Sequence, residues 1–432
     1  MKKKALGLAT LLMSTLLISG CGSNEKGGES SDKAEVSLLI GKEEIAKELD
    51  ETVEKYNSTQ DNYEVKIIPL AGQNATEKLT SLYASKNAPV MINMGVYSEI
   101  EIWEDKLLDL SDLQLVKNID DAYLDAGRVN GKQLGIPTTI EAFGFLYNKD
   151  VLDEAVGGNF DPDSIQSRSD LEELMKQIED TGKKALEISP MDWSLGAHFT
   201  NIMFTNQSDT TEERHQFIKD LQEGNVDLTN NKVYNEWLDT FDLMKEHNAA
   251  TKSPLSADYD SATLGLANGD IGLWFMGNWA MPQLMEANPD ANFGILPVPI
   301  SDEEGAYGNT QISIGVPQTW AIDASQSSKE QQEGAKDFLN WMYEDSEGQE
   351  YYVNKLGFIP INSNNTVQPS DSLSQAVLKY LQEDRGLEWI NAHYPPTAYP
   401  SMGASLQKYL GDDTDRAGLT KEIEDYWKNS SN

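Results

Sequence analysis

The chain has 432 residues, with 71 Asp and Glu against 34 Lys and Arg, giving a formal net charge of -37 and a sequence pI near 4.3. An acidic surface repels phosphate backbones, which excludes a nucleic-acid binder. The sequence is 39% apolar and 24% charged, with 9 Trp, 17 Tyr and 11 Phe along its length, and mean hydropathy is -0.51; these values exclude a disordered acidic tail and a multi-span membrane protein, and the length fits about two globular domains.

Lys2, Lys3 and Lys4 precede an apolar stretch, Ala5 to Ile18, that is too short to cross a bilayer of roughly 30 Å as a helix. Residues 1–20 read as a signal peptide. It ends in Leu17-Ile18-Ser19-Gly20-Cys21, which resembles the lipobox of bacterial lipoproteins. That resemblance implies that Cys21 is lipidated and becomes the first mature residue, and two acyl chains anchor stably. Cys21 is the only cysteine, so disulfides, cysteine metal sites and cysteine nucleophiles are excluded from the mature protein. Residues 21–34 form the lipidated Cys and a polar tether that holds the folded body off the membrane.

From Glu35 onward, short apolar runs alternate with amphipathic helices. Val36 to Ile40 reads as a strand, and Ile45, Leu49, Val53 and Tyr56 share one helical face. Val65 to Ile68, a helix through Leu79, Leu82 and Tyr83, and Val90 to Met94 complete a βαβαβ pattern, which predicts a parallel sheet with flanking helices. Phe143 to Tyr147 and Ala185 to Ile188 read as further strands. Capping-box patterns place helix starts at Ser169 to Glu172 and Thr210 to Glu213. Val233, Trp237, Phe241 and Met244 predict a longer helix with a core face, and Ile271 to Phe275 returns to strand.

Four segments are informative together: ASKNAPVMINM (84–94), GKQLGIPTTIEAFGFLYNKD (131–150), ANGDIGLWFMGNWAMPQL (267–284) and GFIPI (357–361). In this order and spacing they resemble the extracellular solute-binding lipoproteins of bacterial carbohydrate ABC importers, the maltose and multiple-sugar binding group, over essentially the whole mature chain. The resemblance implies an α/β, two-lobed periplasmic-binding-protein-like fold, each lobe a mainly parallel sheet flanked by helices, with ligand held in the cleft between lobes. It puts hinge crossings near Pro137 to Phe143, Ile312 to Pro317 and Gly357 to Asn362. Lobe one is then expected at 35–139 plus 316–358 and lobe two at 140–315 plus 359–432.

A sugar offers C–H faces and a rim of hydroxyls, so a sugar site needs flat aromatics and short polar or acidic side chains. Trp279 is the first candidate, because GNWAM follows a strand at the mouth where α/β folds bind ligands; the alternative is a core Trp opening a helix. In the resembled family the tryptophan of this motif stacks on a sugar ring, with Gly277 and Asn278 forming the turn that presents it. Glu141, at the crossing between lobes, matches an acid that accepts sugar hydroxyls, and the alternative is a solvated hinge residue. Trp193 and Asp192 follow the strand at 185–188. Lys42, after Gly41 at the end of the first strand, and Tyr97, after the third, are weaker candidates against a surface charge and a core ring. In the proline-broken loop NAHYPPTAYP, Tyr394 and Tyr399 compete for the role of aromatic platform.

A glycoside hydrolase using two carboxylates is the enzyme alternative, and a peptide or polyol importer component or a surface adhesin are the others. His198, His215, His247 and His393 lack zinc-site spacing, and no HExxH, GxSxG, Walker A or GxGxxG pattern is present. The acidic GDDTD run (411–415) reads as a helix-capping turn rather than a calcium loop. The reading is therefore a non-enzymatic monomer with no cofactor and no metal that binds an extracellular carbohydrate. Several aromatics around one cleft favour an oligosaccharide. Its partners are separate ABC permease and ATPase subunits and the membrane reached through the lipid anchor. A Gram-positive outer face is the expected location, with a periplasmic inner-membrane lipoprotein as the alternative.

Overall fold

The computed structural model describes residues 33–430 apart from Gly72 and Glu304. The signal peptide, Cys21 and nearly all of the tether lie outside the described residues. In chain order the strands begin with β1 (Ala34–Leu39), β2 (Tyr63–Ile68), β3 (Met91–Met94), β4 (Arg128–Val129), β5 (Lys132–Gln133), β6 (Gly135–Pro137) and β7 (Glu141–Asn148). They continue with β8 (Lys184–Glu187), β9 (Ile271–Gly277), β10 (Phe293–Leu296), β11 (Ile312–Gly315), β12 (Thr319–Ile322) and β13 (Gly386–Leu387). One sheet has the order β2-β1-β3-β12-β6, and a second has the order β13-β11-β7-β9-β8, with β10 also paired to β7. The pair β4-β5 stands apart as a small hairpin.

The βαβαβ opening forms as its pattern predicts, with β1 parallel to both β2 and β3. The first helix runs Ala46–Thr59 and buries Leu49, Thr52, Val53 and Tyr56, the i, i+3, i+4, i+7 face of its sequence. Tyr56 anchors it by packing 4.9 Å from Phe338 and donating to Asp337 Oδ2 at 2.7 Å. The expectation of mainly parallel sheets needs correcting, because β12 is antiparallel to β3 and β6, and β7 is antiparallel to β9, β10 and β11. The reason lies in the connectivity. β6 leads through three residues straight into β7 of the other sheet, and β11 returns in the same way into β12, so the outgoing strands β6 and β7 lie against the returning strands β12 and β11 in opposite directions; β9 and β10 run antiparallel to β7 although helices intervene.

The chain passes between sheets at 138–140 and 316–318, and again on the way from the helix Ser346–Glu350 to β13. These crossings are tied to one another. Thr138 N donates to Gln318 O at 2.8 Å and Ile359 N to Thr139 Oγ1 at 2.9 Å. The Tyr343 and Tyr352 hydroxyls donate to Thr138 O at 3.0 and 2.8 Å, so this buried carbonyl is satisfied by side chains where no strand partner exists.

One predicted helix start shifts, and the other holds without its expected cap bond. Ser167, not Ser169, caps the helix Arg168–Asp180 by accepting from Asp170 N, while Ser169 Oγ donates to Asp302. Thr210 occupies the N-cap position of Thr211–Gln222 without a side-chain cap bond. Reciprocal capping boxes form instead at Asp258/Ser261 and Ser328/Gln331. The 233–244 stripe is core, as expected, and the Trp237 indole N–H donates to Phe199 O at 3.0 Å. Asp415 caps the last helix, Arg416–Asn429, and Asp412 pairs with Lys245 at 2.9 Å, in keeping with an acidic capping turn.

Candidate functional site

Glu141, the first residue of β7, is only 5% exposed, and its Oε1 accepts from Lys42 Nζ at 2.7 Å. Lys42, 7% exposed, follows β1 of the first sheet, so the pair joins the two sheets where they meet. Glu44 Oε1 lies 2.9 Å from the same ammonium. Burial alone would lower the Lys42 pKa, but the two carboxylates more than offset it and hold the value above the ordinary lysine range. Burial raises the Glu141 carboxyl against the pull of Lys42, with Glu44 adding to the rise. Both side chains are thus desolvated and have charge-assisted hydrogen-bonding capacity at the junction.

An aromatic cluster stands beside this pair. The Trp193 and Trp279 rings meet edge to face at 5.9 Å, and the His198 ring lies 5.4 Å from Trp193, 5.1 Å from Trp279 and 5.4 Å from Trp389. Beneath His198, Phe143 of β7 stacks at 4.3 Å. Trp193 and Trp279 are half-buried, and Trp389 is buried. Burial, with Lys42 nearby, drives the His198 pKa down to about 3, so the ring is neutral.

The local sequence explains how these rings are seated. Gly315 of β11 pairs with Glu141, and Gly277 of β9 pairs with Phe143, so two glycines flank the start of β7. A Cβ on Gly277 would fall 1.9 Å from Trp279 Cζ3, and one on Gly315 2.4 Å from Trp389 Cβ. Each glycine leaves the space that a tryptophan fills. Asn278 Oδ1 accepts from Ala142 N at 2.8 Å and ties the Trp279 turn to β7. On the other flank, Ser194–Phe199 forms a wide π-helical turn. A Cβ at Gly196 would meet Tyr399 O at 2.1 Å, so close backbone packing on the helix Ala398–Leu410 holds this turn and its His198 in place.

The remaining candidates separate. Tyr97 has φ 49°, ψ -106°, an unusual backbone for a non-glycine residue, and its ring packs 4.0 Å from His393. Asp192 is exposed, and its Oδ1 accepts from Gln407 Nε2 at 3.1 Å. Tyr399 is half-buried and donates to Asn391 O at 3.1 Å. Tyr394 requires correction as a platform: it is 3% exposed and wedged edge-on between Phe204 and Trp427 at 5.4 and 5.1 Å, so its ring is core packing. Sequence reasoning missed Glu44, His198 and Trp389. His198 shares the segment SPMDWSLGAHF with Trp193, and Trp389 lies just before the proline-broken loop, but nothing local signals that the four rings converge. Two open surface depressions, one along Thr397, Ser401, Glu422 and Tyr426 and one around Asp242, Lys245, Asp412 and Arg416, contain none of the junction residues.

A family model described as bacterial extracellular solute-binding protein matches residues 51–378. The chain belongs to this family. As a solute-binding protein it is a binder and not an enzyme, so the two-carboxylate hydrolase alternative falls away. This solute-binding protein is 19% identical over 401 residues to the multiple sugar-binding protein of Streptococcus mutans, covering 90% of each chain. Its fold is similar to that of the solute-binding protein RafE solved with raffinose, with a TM-score of 0.79, 20% identity, and coverage of 93% of this chain and 100% of that one. It is also similar to a sugar transporter from Bacillus licheniformis solved with stachyose, with a TM-score of 0.72, 18% identity, and coverage of 92% and 100%. Among the described residues no helix is long and apolar enough to cross a membrane.

Proposed function

We propose that this solute-binding protein captures an oligosaccharide at the junction of its two sheets and delivers it to the permease of an ABC importer. One observation carries the reading: the half-open rings of Trp193 and Trp279 stand beside the buried Lys42–Glu141 pair, the two surfaces that a sugar face and a sugar rim require. Glu141 and Glu44 accept hydroxyl hydrogens, Lys42 donates to hydroxyl oxygens, and the indoles stack on ring C–H faces. More than one platform favours at least two sugar units, and the raffinose and stachyose seen with relatives of the same fold support a ligand of three or four units. In this reading the two lobes are 35–139 plus 316–358 and 140–315 plus 359–432. The ligand engages both and favours the closed arrangement by its differential affinity. Cys21 holds the protein by lipid at the outer face of the cell membrane.

The test is a thermal-shift and tryptophan-fluorescence screen against neutral mono-, di-, tri- and tetrasaccharides, with peptides and polyols as controls. A saturable response confined to oligosaccharides supports the proposal. A response to a peptide or polyol alone, or none to any sugar, overturns it.

A further inference from the structure

Two of the four histidines, far apart in sequence, meet outside the aromatic cluster. His215 lies on the helix Thr211–Gln222, and His393 closes the short turn Ile390–His393 after β13. With Glu388 they offer three donor atoms that all lie within 4.8 Å of one another. The two imidazole rings are 4.9 Å apart at 67°, and His215 Nε2 is 2.5 Å from Glu388 Oε1.

We propose that His215, Glu388 and His393 bind a divalent transition-metal ion, zinc above all. The donor set is one that zinc takes readily, two imidazole nitrogens and one carboxylate oxygen, and three protein ligands leave a fourth position for water. Tetrahedral bonds of about 2.0–2.2 Å place donors roughly 3.3 Å apart, so the ion enters with sub-ångström movement of His215 and Glu388 and a modest approach by His393. The carboxylate is already oriented. Arg214 Nε and Nη2 contact Glu388 Oε2 at 2.9 and 2.7 Å, which leaves Oε1 turned toward His215, the kind of outer support that fixes metal ligands. The ion would also pin the 388–393 segment at both ends. That segment carries Trp389 of the aromatic cluster, and His393 packs against Tyr97 from the first-sheet side. Metal at this point therefore stiffens the buried Trp389 beneath the half-open rings without touching it.

The site is tested with the full chain, freed of any affinity tag and stripped with EDTA, titrated with zinc by calorimetry and followed by melting temperature. One zinc per chain with low-micromolar or tighter affinity is expected, together with a rise in melting temperature that EDTA reverses. His393→Ala and His215→Ala should each weaken zinc binding at least tenfold while melting as the metal-free parent does. Glu388→Gln strips Arg214 of its partner and risks misfolding, so the two histidine variants decide the matter. Zinc X-ray absorption should show two imidazole scatterers. Absence of saturable binding, or equal affinity in the parent and both histidine variants, overturns the site. Because zinc alone is the probe, the outcome is independent of what the junction binds.

Discussion

Where the first sheet reaches the junction it brings Lys42 and Glu44; where the second does, it brings Trp193, His198, Trp279 and Trp389, with Glu141 at the start of its central strand. The charged part, Lys42 with Glu44 and, across the junction, Glu141, is mostly enclosed by ion pairs, and the aromatic part is partly open. They also differ in what holds them. The charged side depends on mutual neutralisation, because a buried ion without a partner is costly, whereas the aromatic side depends on space left by Gly277 and Gly315. A ligand that needs both stacking and hydroxyl contacts must bridge the two. The contrast predicts that substitutions in the Lys42–Glu141 pair act mainly on stability, and those in the aromatic cluster mainly on binding.

The largest stability effect should come from Glu141→Gln. It removes the nearer partner of a buried ammonium and leaves Glu44 alone, so a loss of about 3 kcal/mol, the lower end for a broken buried pair, is expected in urea unfolding. The double change Lys42→Met with Glu141→Leu should recover most of it. A single variant as stable as the parent would show that the pair is solvated rather than buried.

Gly277→Ala sharpens the other half of the comparison. Its backbone, with φ -121°, accepts any residue, so the effect arises from the added methyl displacing the Trp279 ring. Sugar affinity should fall about tenfold, or 1.4 kcal/mol, with a comparable loss of stability from overpacking. Unchanged affinity would mean that the ring's seat is irrelevant to binding.

A smaller effect is expected from pH. Burial, with Lys42 nearby, holds the His198 pKa at about 3 in the folded chain, against 6.5 for an ordinary histidine. Its contribution to stability is therefore full above pH 6.5 and is lost as pH falls below it, by up to about 1.4 kcal/mol per pH unit. Glu187, raised to about 7 by burial and by Asp258, acts in the opposite sense: its contribution is full below the ordinary glutamate range and lost as pH rises through 7. The comparison is therefore made between the parent and His198→Phe. Between pH 7.5 and 5 the variant should gain stability relative to the parent, and parallel curves would show that the ring is solvated.

Much of this was legible in the sequence where the signal was local. The βαβαβ opening follows from short apolar runs separated by helical periodicity, and the Trp279 turn follows from Gly277 and Asn278 standing at the end of a strand. Strand direction was not legible, because the antiparallel pairing of β7 with β11 arises from direct crossings between sheets that no local pattern encodes. Ser169 and Thr210 matched a capping motif, yet the chain satisfies those helix starts differently, since Ser169 is drawn to Asp302. Tyr394 and Tyr399 share one loop, and only packing against Phe204 and Trp427 separates the core ring from its neighbour. His198, Trp389 and the His215–Glu388–His393 set were hidden for one common reason: their partners are far off in the sequence, Glu388 for example lying 173 residues from His215.

The central claim is that Trp279 is a ligand platform and not a core ring, and calorimetric titration of Trp279→Ala with whichever neutral oligosaccharide the screen identifies tests it most directly. The account predicts a loss of affinity of at least tenfold, larger than that of Glu141→Gln, since stacking adds about 0.5–1.5 kcal/mol beyond the area the ring buries, and a melting temperature close to the parent's because the ring is only half-buried. A variant that melts far below the parent, yet when folded binds the same sugar with unchanged affinity, would contradict it.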